Sequence, residues 1–255
     1  MDRKPPTAVR KQLRDEIGFG CPVQGCGLPY LEWHHFDPPW KEKQHHDPNG
    51  MIALCREHHI QADNGAFTIE QLRSFKESGK GNASQVVGKF NWMRNRILAV
   101  IGGGFYFETA VVLQIREIPI IWFNRDPKDY LLLNFTLLGN SGEQRAYMRD
   151  NEWFNVGGEE DIECPPSARS LKIEYPTGER MRIEFYEIDG AREFARRIPK
   201  AEGFLGDITL PITAVEISYR VPGLNIDLSP KGTVLPGITI GAVFASHCGV
   251  GLALG

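Results

Sequence analysis

A chain of 255 residues exceeds the usual span of one hydrophobic core, about 100–150 residues, and suits two domains. Apolar residues at 42% and charged residues at 24% are ordinary for a globular protein and exclude a fibrous or intrinsically disordered class. The net charge of −3 excludes a globally basic nucleic-acid binder, so contact with a polyanion must come from a local patch or a metal ion.

The N-terminal MDRKPPTAVRKQLRDE has no apolar core of the kind a secretory signal needs, which implies a cytoplasmic, reducing location. Asn82-Ala83-Ser84 is then a chance match to a glycosylation acceptor. The weakly polar run 237–255 is broken by Ser246, His247 and several glycines, so no membrane span is expected. In chain order, Pro5-Pro6-Thr7 predicts a helix over 8–17 with Thr7 as its cap. Two cysteines about a turn follow, then a short strand over 30–34 that Asp37-Pro38-Pro39 ends. Residues 50–64 begin apolar at Met51, Ile52 and Leu54 and continue as a helix to Asn64-Gly65. Ile69, Leu72 and Phe75 mark another helix over 68–78, with Glu70 near its N-terminus.

Three of the five cysteines, Cys21, Cys26 and Cys55, fall beside six of the seven histidines, which reads as metal ligation and not as a disulfide framework. Cys21-x4-Cys26 and Cys55-x2-His58 form two short pairs joined by one long connection, the spacing of a zinc ribbon. Cys21, Cys26, Cys55 and His58 make a Cys3His set for structural Zn2+, and Gly25 and Gly27 permit the tight turn the first pair needs. Inside this frame lie Trp33-His34-His35-Phe36-Asp37-Pro38, and it closes on Cys55-Arg56-Glu57-His58-His59.

The order of cysteine pair, strand ending in a double histidine, loop, Ala53-Leu54-Cys55 segment and a further histidine is similar to the HNH endonuclease family over about residues 19–64. That resemblance implies a ββα-metal fold, two antiparallel strands and a helix around one divalent ion, with the zinc ribbon bracing it. It implies His35 as general base and His34 as a ligand of the catalytic ion, opposed by His59 from the helix. Asp63, one turn after His59 on the same helix face, is a further candidate ligand. The ion expected in use is Mg2+ or Mn2+, with Ni2+ or Zn2+ as alternatives that suit imidazole ligands. The family's middle asparagine, which orients the base, falls on Gly50; Asn49 takes that role only if the Pro48-Asn49-Gly50 turn absorbs a one-residue shift. Otherwise a backbone carbonyl or another side chain must orient His35.

Arg10, Lys11 and Arg14, within a basic N-terminus that also holds Arg3 and Lys4, are expected phosphate contacts, as are Lys41 and Lys43. His45 and His46 lie in the same loop as candidates to touch phosphate or metal. Gly79-Lys80-Gly81-Asn82-Ala83-Ser84 marks the boundary between a nuclease domain, 1–80, and a mainly β domain, 86–255. The apolar runs 97–101, 105–115, 118–123, 130–138, 170–175 and 181–188 predict strands, with one short helix over 190–197. Trp92, Trp122 and Trp153, about thirty residues apart, allow a β-solenoid; a sandwich gives the same rhythm. Cys164 and Cys248, the latter beside His247, read as buried thiols, and Gly102-Gly103-Gly104 reads as a turn.

The expected whole is therefore α+β: an N-terminal ββα-metal HNH domain with structural zinc, then a solenoid-like or sandwich β domain that regulates, targets or oligomerises it. The expected activity is metal-dependent hydrolysis of nucleic acid, DNA before RNA, by analogy in bacterial or antiviral defence. The alternative is a zinc-dependent nucleic-acid or protein-binding module with a decayed nuclease site.

Overall fold

The computed structural model describes residues 2–80, 86–199, 203, 204, 206, 208–235, 238–240 and 243–255. Residues 81–84 of the expected boundary, with the Asn82 acceptor match, lie outside the described residues. Secondary structure is about 43% strand and 20% helix, a mixed class dominated by sheets. No helix among the described residues is long and apolar enough to cross a membrane.

The chain forms two compact units, Met1–Gly88 with Phe154–Glu174, and Lys89–Trp153 with Tyr175–Gly255. Residues 154–174, which the sequence groups with the β region, thus belong with the N-terminal unit. The physical reason is charge. Asp161 and Glu163, on a hairpin of strands Asp161–Glu163 and Ser170–Glu174, meet the basic face of the first helix.

That helix, α1 (Thr7–Glu16), starts one residue earlier than expected. Pro6 occupies the cap position without a side-chain hydrogen bond, and the Thr7 hydroxyl instead accepts from Arg10 Nη2 at 3.1 Å. Strands β1 (Leu31–His35) and β2 (Met51–Cys55) pair antiparallel, Leu31 opposite Cys55 and His35 opposite Met51. Every residue of β2 is buried, and Met51, Ile52 and Leu54 pack with Leu13, Ile17 and Leu72 in this unit's core. Helix α2 (Arg56–Asp63) follows β2 without a loop.

Helix α3 (Ile69–Ser78) carries a full capping box: Gln71 N donates to Thr68 Oγ1 at 3.2 Å, and Thr68 N donates to Gln71 Oε1 at 2.8 Å. Such a cap contributes about 1 kcal/mol. From α3, Lys76 Nζ donates to the Met51 carbonyl at 2.9 Å and to that of Pro48, tying down the entry to β2.

In the second unit, strands Val111–Ile115, Ile118–Arg125, Leu131–Leu138 and Gln144–Arg149 pair antiparallel in sequence order. In its other sheet Arg180–Ile188 pairs antiparallel with Ile212–Val221, then come Ile226–Ser229, Gly232–Leu235 and Ile238–Ile240. A parallel solenoid stacks parallel rungs, whereas these meanders are antiparallel; parallel pairs join Ile97–Ile101 to Ile212–Val221, Gly104–Phe107 to Val243–Ser246 and Val111–Ile115 to Val250–Leu254. The three tryptophans have unrelated surroundings: Trp92 stacks on Phe185, Trp122 lies under the Arg149 guanidinium, and Trp153 is fully buried. The expected strand over 105–115 breaks in two at Glu108, whose φ is +49°. The expected short helix is present as Ala191–Arg197.

Candidate metal centre

Two clusters of metal-ligating side chains sit in the N-terminal unit, and the chain order builds both. Cys21 and Cys26 flank a turn in which Gly25 (φ +78°) and Gly27 (φ +62°) hold the left-handed conformation open to glycine. Cys21 N donates to Leu28 O at 2.9 Å, closing the knuckle. Cys55 ends β2 and caps α2, so His58 lies in the helix's first turn and faces the knuckle.

The four donor groups of Cys21, Cys26, Cys55 and His58 lie within 4.8 Å of one another. Cys26 Sγ is 3.8 Å from Cys55 Sγ, and His58 Nδ1 is 3.3 Å from Cys21 Sγ and 3.2 Å from Cys55 Sγ. Zinc–sulfur bonds of about 2.3 Å in a tetrahedron require sulfur–sulfur edges of about 3.8 Å, so the set fits Zn2+. All three cysteines are free thiols. The hydrogen bond from Cys21 lowers the Cys55 thiol pKa and favours the thiolate form that binds metal. This Cys3His cluster could hold a metal ion.

The second cluster is His34, His59 and Asp63. On β1 strand alternation places Glu32 and His34 on one face, and His34 and His35 both border one cavity with Asp63. On α2 His59 and Asp63 are one turn apart, on the face toward β1. His34 Nδ1 lies 3.1 Å from Asp63 Oδ1, yet this buried nitrogen makes no hydrogen bond. Donors about 2.1 Å from one ion sit about 3.0–3.4 Å apart, so the pair has the spacing of two ligands sharing an ion. His59 Nδ1 is 3.2 Å from Glu32 Oε2 and 3.7 Å from Asp63 Oδ2, while its Nε2 is buried without a hydrogen-bond partner. Burial, then the neighbouring His59, lowers the His34 pKa and favours the neutral ligand form.

His35 is 4% exposed, and neither ring nitrogen has a hydrogen-bond partner among the described residues. Burial pushes its imidazole down to about 4, so it is unprotonated at neutral pH and able to accept a proton. His45 is fixed as a neutral tautomer: Asp47 N donates to its Nδ1 at 3.1 Å, so its Nε2 carries the proton and donates to Pro38 O at 2.9 Å. His35, His34, Arg3, Pro39, Trp40 and Lys41 help line a cavity of about 390 Å3.

The chain matches no protein-family model, curated protein or solved structure. The geometry alone must therefore carry the reading.

Several expected residues stand elsewhere. Asn49 is exposed in the 3-10 turn Pro48–Gly50, and its side chain and backbone N both donate to Asp47 Oδ1 at 3.0 Å. It lines a different cavity, with Glu16, Arg73 and Lys76. Nor can position 50 carry the missing side chain. A Cβ on Gly50 would stand 1.9 Å from the Asp37 carbonyl oxygen and 3.0 Å from His45 Cε1.

Three expected phosphate contacts are engaged by carboxylates. Arg10 meets Glu163 at 3.3 Å, Lys11 meets Glu160 at 2.5 Å, and Arg14 is 3% exposed against Asp161. Lys41 and Lys43 are exposed, and Lys41 borders the histidine cavity. His46 stacks on Trp40 at 5.5 Å between ring centroids and is not among the clustered donors. Cys164 is buried and donates to Ser170 O, and burial pushes its thiol up to about 12. Cys248, only partly buried, donates to Ser246 O, and His247 Nδ1 meets Ser246 Oγ at 2.6 Å, so those two do not pair. Glu32 and Trp40 are additions the sequence reading missed. Glu32 was readable from its place two residues before His34.

Proposed function

We propose that the N-terminal unit is a metal-dependent nuclease of the HNH kind that hydrolyses nucleic-acid phosphodiesters. The observation that carries the proposal is the division of labour along nine residues. Cys55 and His58 belong to a Cys3His tetrahedron, while His59 and Asp63 join His34 in a separate cluster beside a buried, unpaired His35. A closed cysteine site suits structure, and a histidine–carboxylate site with fewer protein donors suits catalysis.

His34, His59 and Asp63 would hold a divalent ion, Mg2+ or Mn2+ with Ni2+ or Zn2+ as alternatives, and Glu32 would orient His59 through Nδ1. When bound, the ion supplies positive charge to the phosphate oxygens and the leaving oxygen. His35 accepts a proton from the attacking water as the new P–O bond forms. The P–O bond to the leaving sugar oxygen breaks, that oxygen takes a proton from solvent water, and His35 returns its proton to solvent. A side chain at position 50 cannot fill the orienting role, because Gly50 leaves no room for a Cβ.

The test is cleavage of DNA and of RNA by the full chain with each divalent ion, compared with His35→Ala. Metal-dependent cleavage that His35→Ala abolishes supports the reading; equal activity of the variant rejects it. A second reading, a zinc-braced binding module without catalysis, draws on Gly50 and the displaced Asn49. Binding without cleavage under every ion would favour it. The second unit is proposed to regulate, target or oligomerise the first, and the chain to act in the cytoplasm, in defence by analogy.

A further inference from the structure

The histidine site carries a feature that bears on what kind of strand it can take. His35 and His34 are 4% and 6% exposed, so neither projects from the surface. They line a cavity of about 390 Å3 whose other walls include Pro39, Trp40, Phe67 and Ile69, with cationic groups at Arg3 and Lys41. The indole of Trp40 lies 4.7 Å from the His35 ring, tilted by 55°, and is stacked at 28° with His46. A half-buried tryptophan is thus held in place beside the candidate base.

We propose, on the basis of the nuclease reading above, that this site takes a single-stranded polynucleotide and seats one unstacked base against Trp40. In a duplex the bases are stacked and paired, and the rigid backbone cannot follow a concave wall to a base that is nearly covered. A single strand can bend its phosphate into the cavity and lay the adjoining base on an aromatic face. Arg3 and Lys41 match the backbone charge, while Pro39, Trp40, Phe67 and Ile69 match an apolar base face and not a second phosphate. The engagement of Arg10, Lys11 and Arg14 by carboxylates removes the longer basic stripe that tracking a duplex would use.

The experiment compares one short DNA sequence as single strand and as duplex. Fluorescence anisotropy is read with the full-length His35→Ala protein, without added divalent ion and with zinc retained, and again with Trp40→Leu or Trp40→Phe added. Cleavage of both forms by the wild type with Mg2+, Mn2+, Ni2+ and Zn2+ in turn runs in parallel. The single strand is expected to bind about tenfold or more tighter than the duplex, Trp40→Leu to lose about tenfold of that binding, and Trp40→Phe to keep most of it. Equal or tighter duplex binding overturns the proposal, as does single-strand binding unaltered in Trp40→Leu. Retained zinc and recovery in Trp40→Phe separate loss of stacking from loss of folding. Trp40-dependent single-strand binding without cleavage under any ion supports the pocket while rejecting the nuclease reading, so the two fail separately.

Discussion

Arg14 and Asp161, 147 positions apart in the chain, meet in a two-pronged ion pair: Nε to Oδ1 at 2.9 Å and Nη2 to Oδ2 at 2.8 Å, with both side chains 3% exposed. Lys172 adds a weaker approach to Asp161 at 4.0 Å. A planar guanidinium on a buried carboxylate is well satisfied, and removing one partner strands the other charge away from water. Asp161→Ala is expected to destabilise the N-terminal unit by about 3–5 kcal/mol, read by urea unfolding of the full chain. A loss within error of zero would mean that the hairpin contributes nothing to that unit.

Under the proposed function, the same contacts change which residues are expected to meet nucleic acid. Arg10→Ala and Lys11→Ala are expected to leave oligonucleotide affinity unchanged, since their charges already meet Glu163 and Glu160. Lys41→Ala should weaken binding and flatten the dependence of log affinity on log salt by about 0.7, the share of one single-strand phosphate. Salt titrations of the three variants measure this. A flattened slope for Arg10→Ala with none for Lys41→Ala would restore the helical face as the binding surface.

Restoring an asparagine at position 50 should harm the protein, not improve it. The 1.9 Å approach of a Cβ to the Asp37 carbonyl oxygen falls on backbone, which is itself bound to Gly50: Phe36 N and Asp37 N donate to Gly50 O at 2.9 and 3.2 Å. Gly50→Asn is expected to cost about 1–3 kcal/mol through overpacking, with no gain in cleavage. A variant of unchanged stability and raised cleavage would show that the turn accommodates the side chain after all.

Glu32 is expected to act through His59. Glu32→Gln keeps the shape but removes the charge facing Nδ1, and should weaken the affinity of the second site for Mn2+ by about 10–100-fold while zinc content stays constant. Isothermal titration of the zinc-loaded protein reads both. Unchanged Mn2+ affinity would remove Glu32 from the site.

The two clusters were legible in the sequence. The spacing of two short pairs marked Cys55 and His58, the resemblance to the HNH family implied His34 and His59, and helix periodicity added only Asp63. The engagement of Arg10, Lys11 and Arg14 was not legible, since their partners lie near residue 161 and a basic helix face looks the same whether water or carboxylate covers it. The place of Asn49 depended on a turn in which Asp47 competes for its amide, a contact spacing does not show. In the β region, runs of aliphatic residues such as 97–101 marked their strands, while Ile212–Val221 was overlooked because Glu216, Ser218 and Arg220 interrupt its apolar pattern. Strand Arg180–Ile188 pairs with it along its whole length, so a central element lacked the uniform hydrophobicity expected of one.

The most direct measurement of the central claim is metal content together with cleavage in His59→Ala. If the two clusters have separate tasks, the variant keeps the zinc stoichiometry of the wild type and loses divalent-ion-dependent cleavage. Wild-type cleavage by His59→Ala with zinc retained would contradict the account, and so would loss of zinc together with activity.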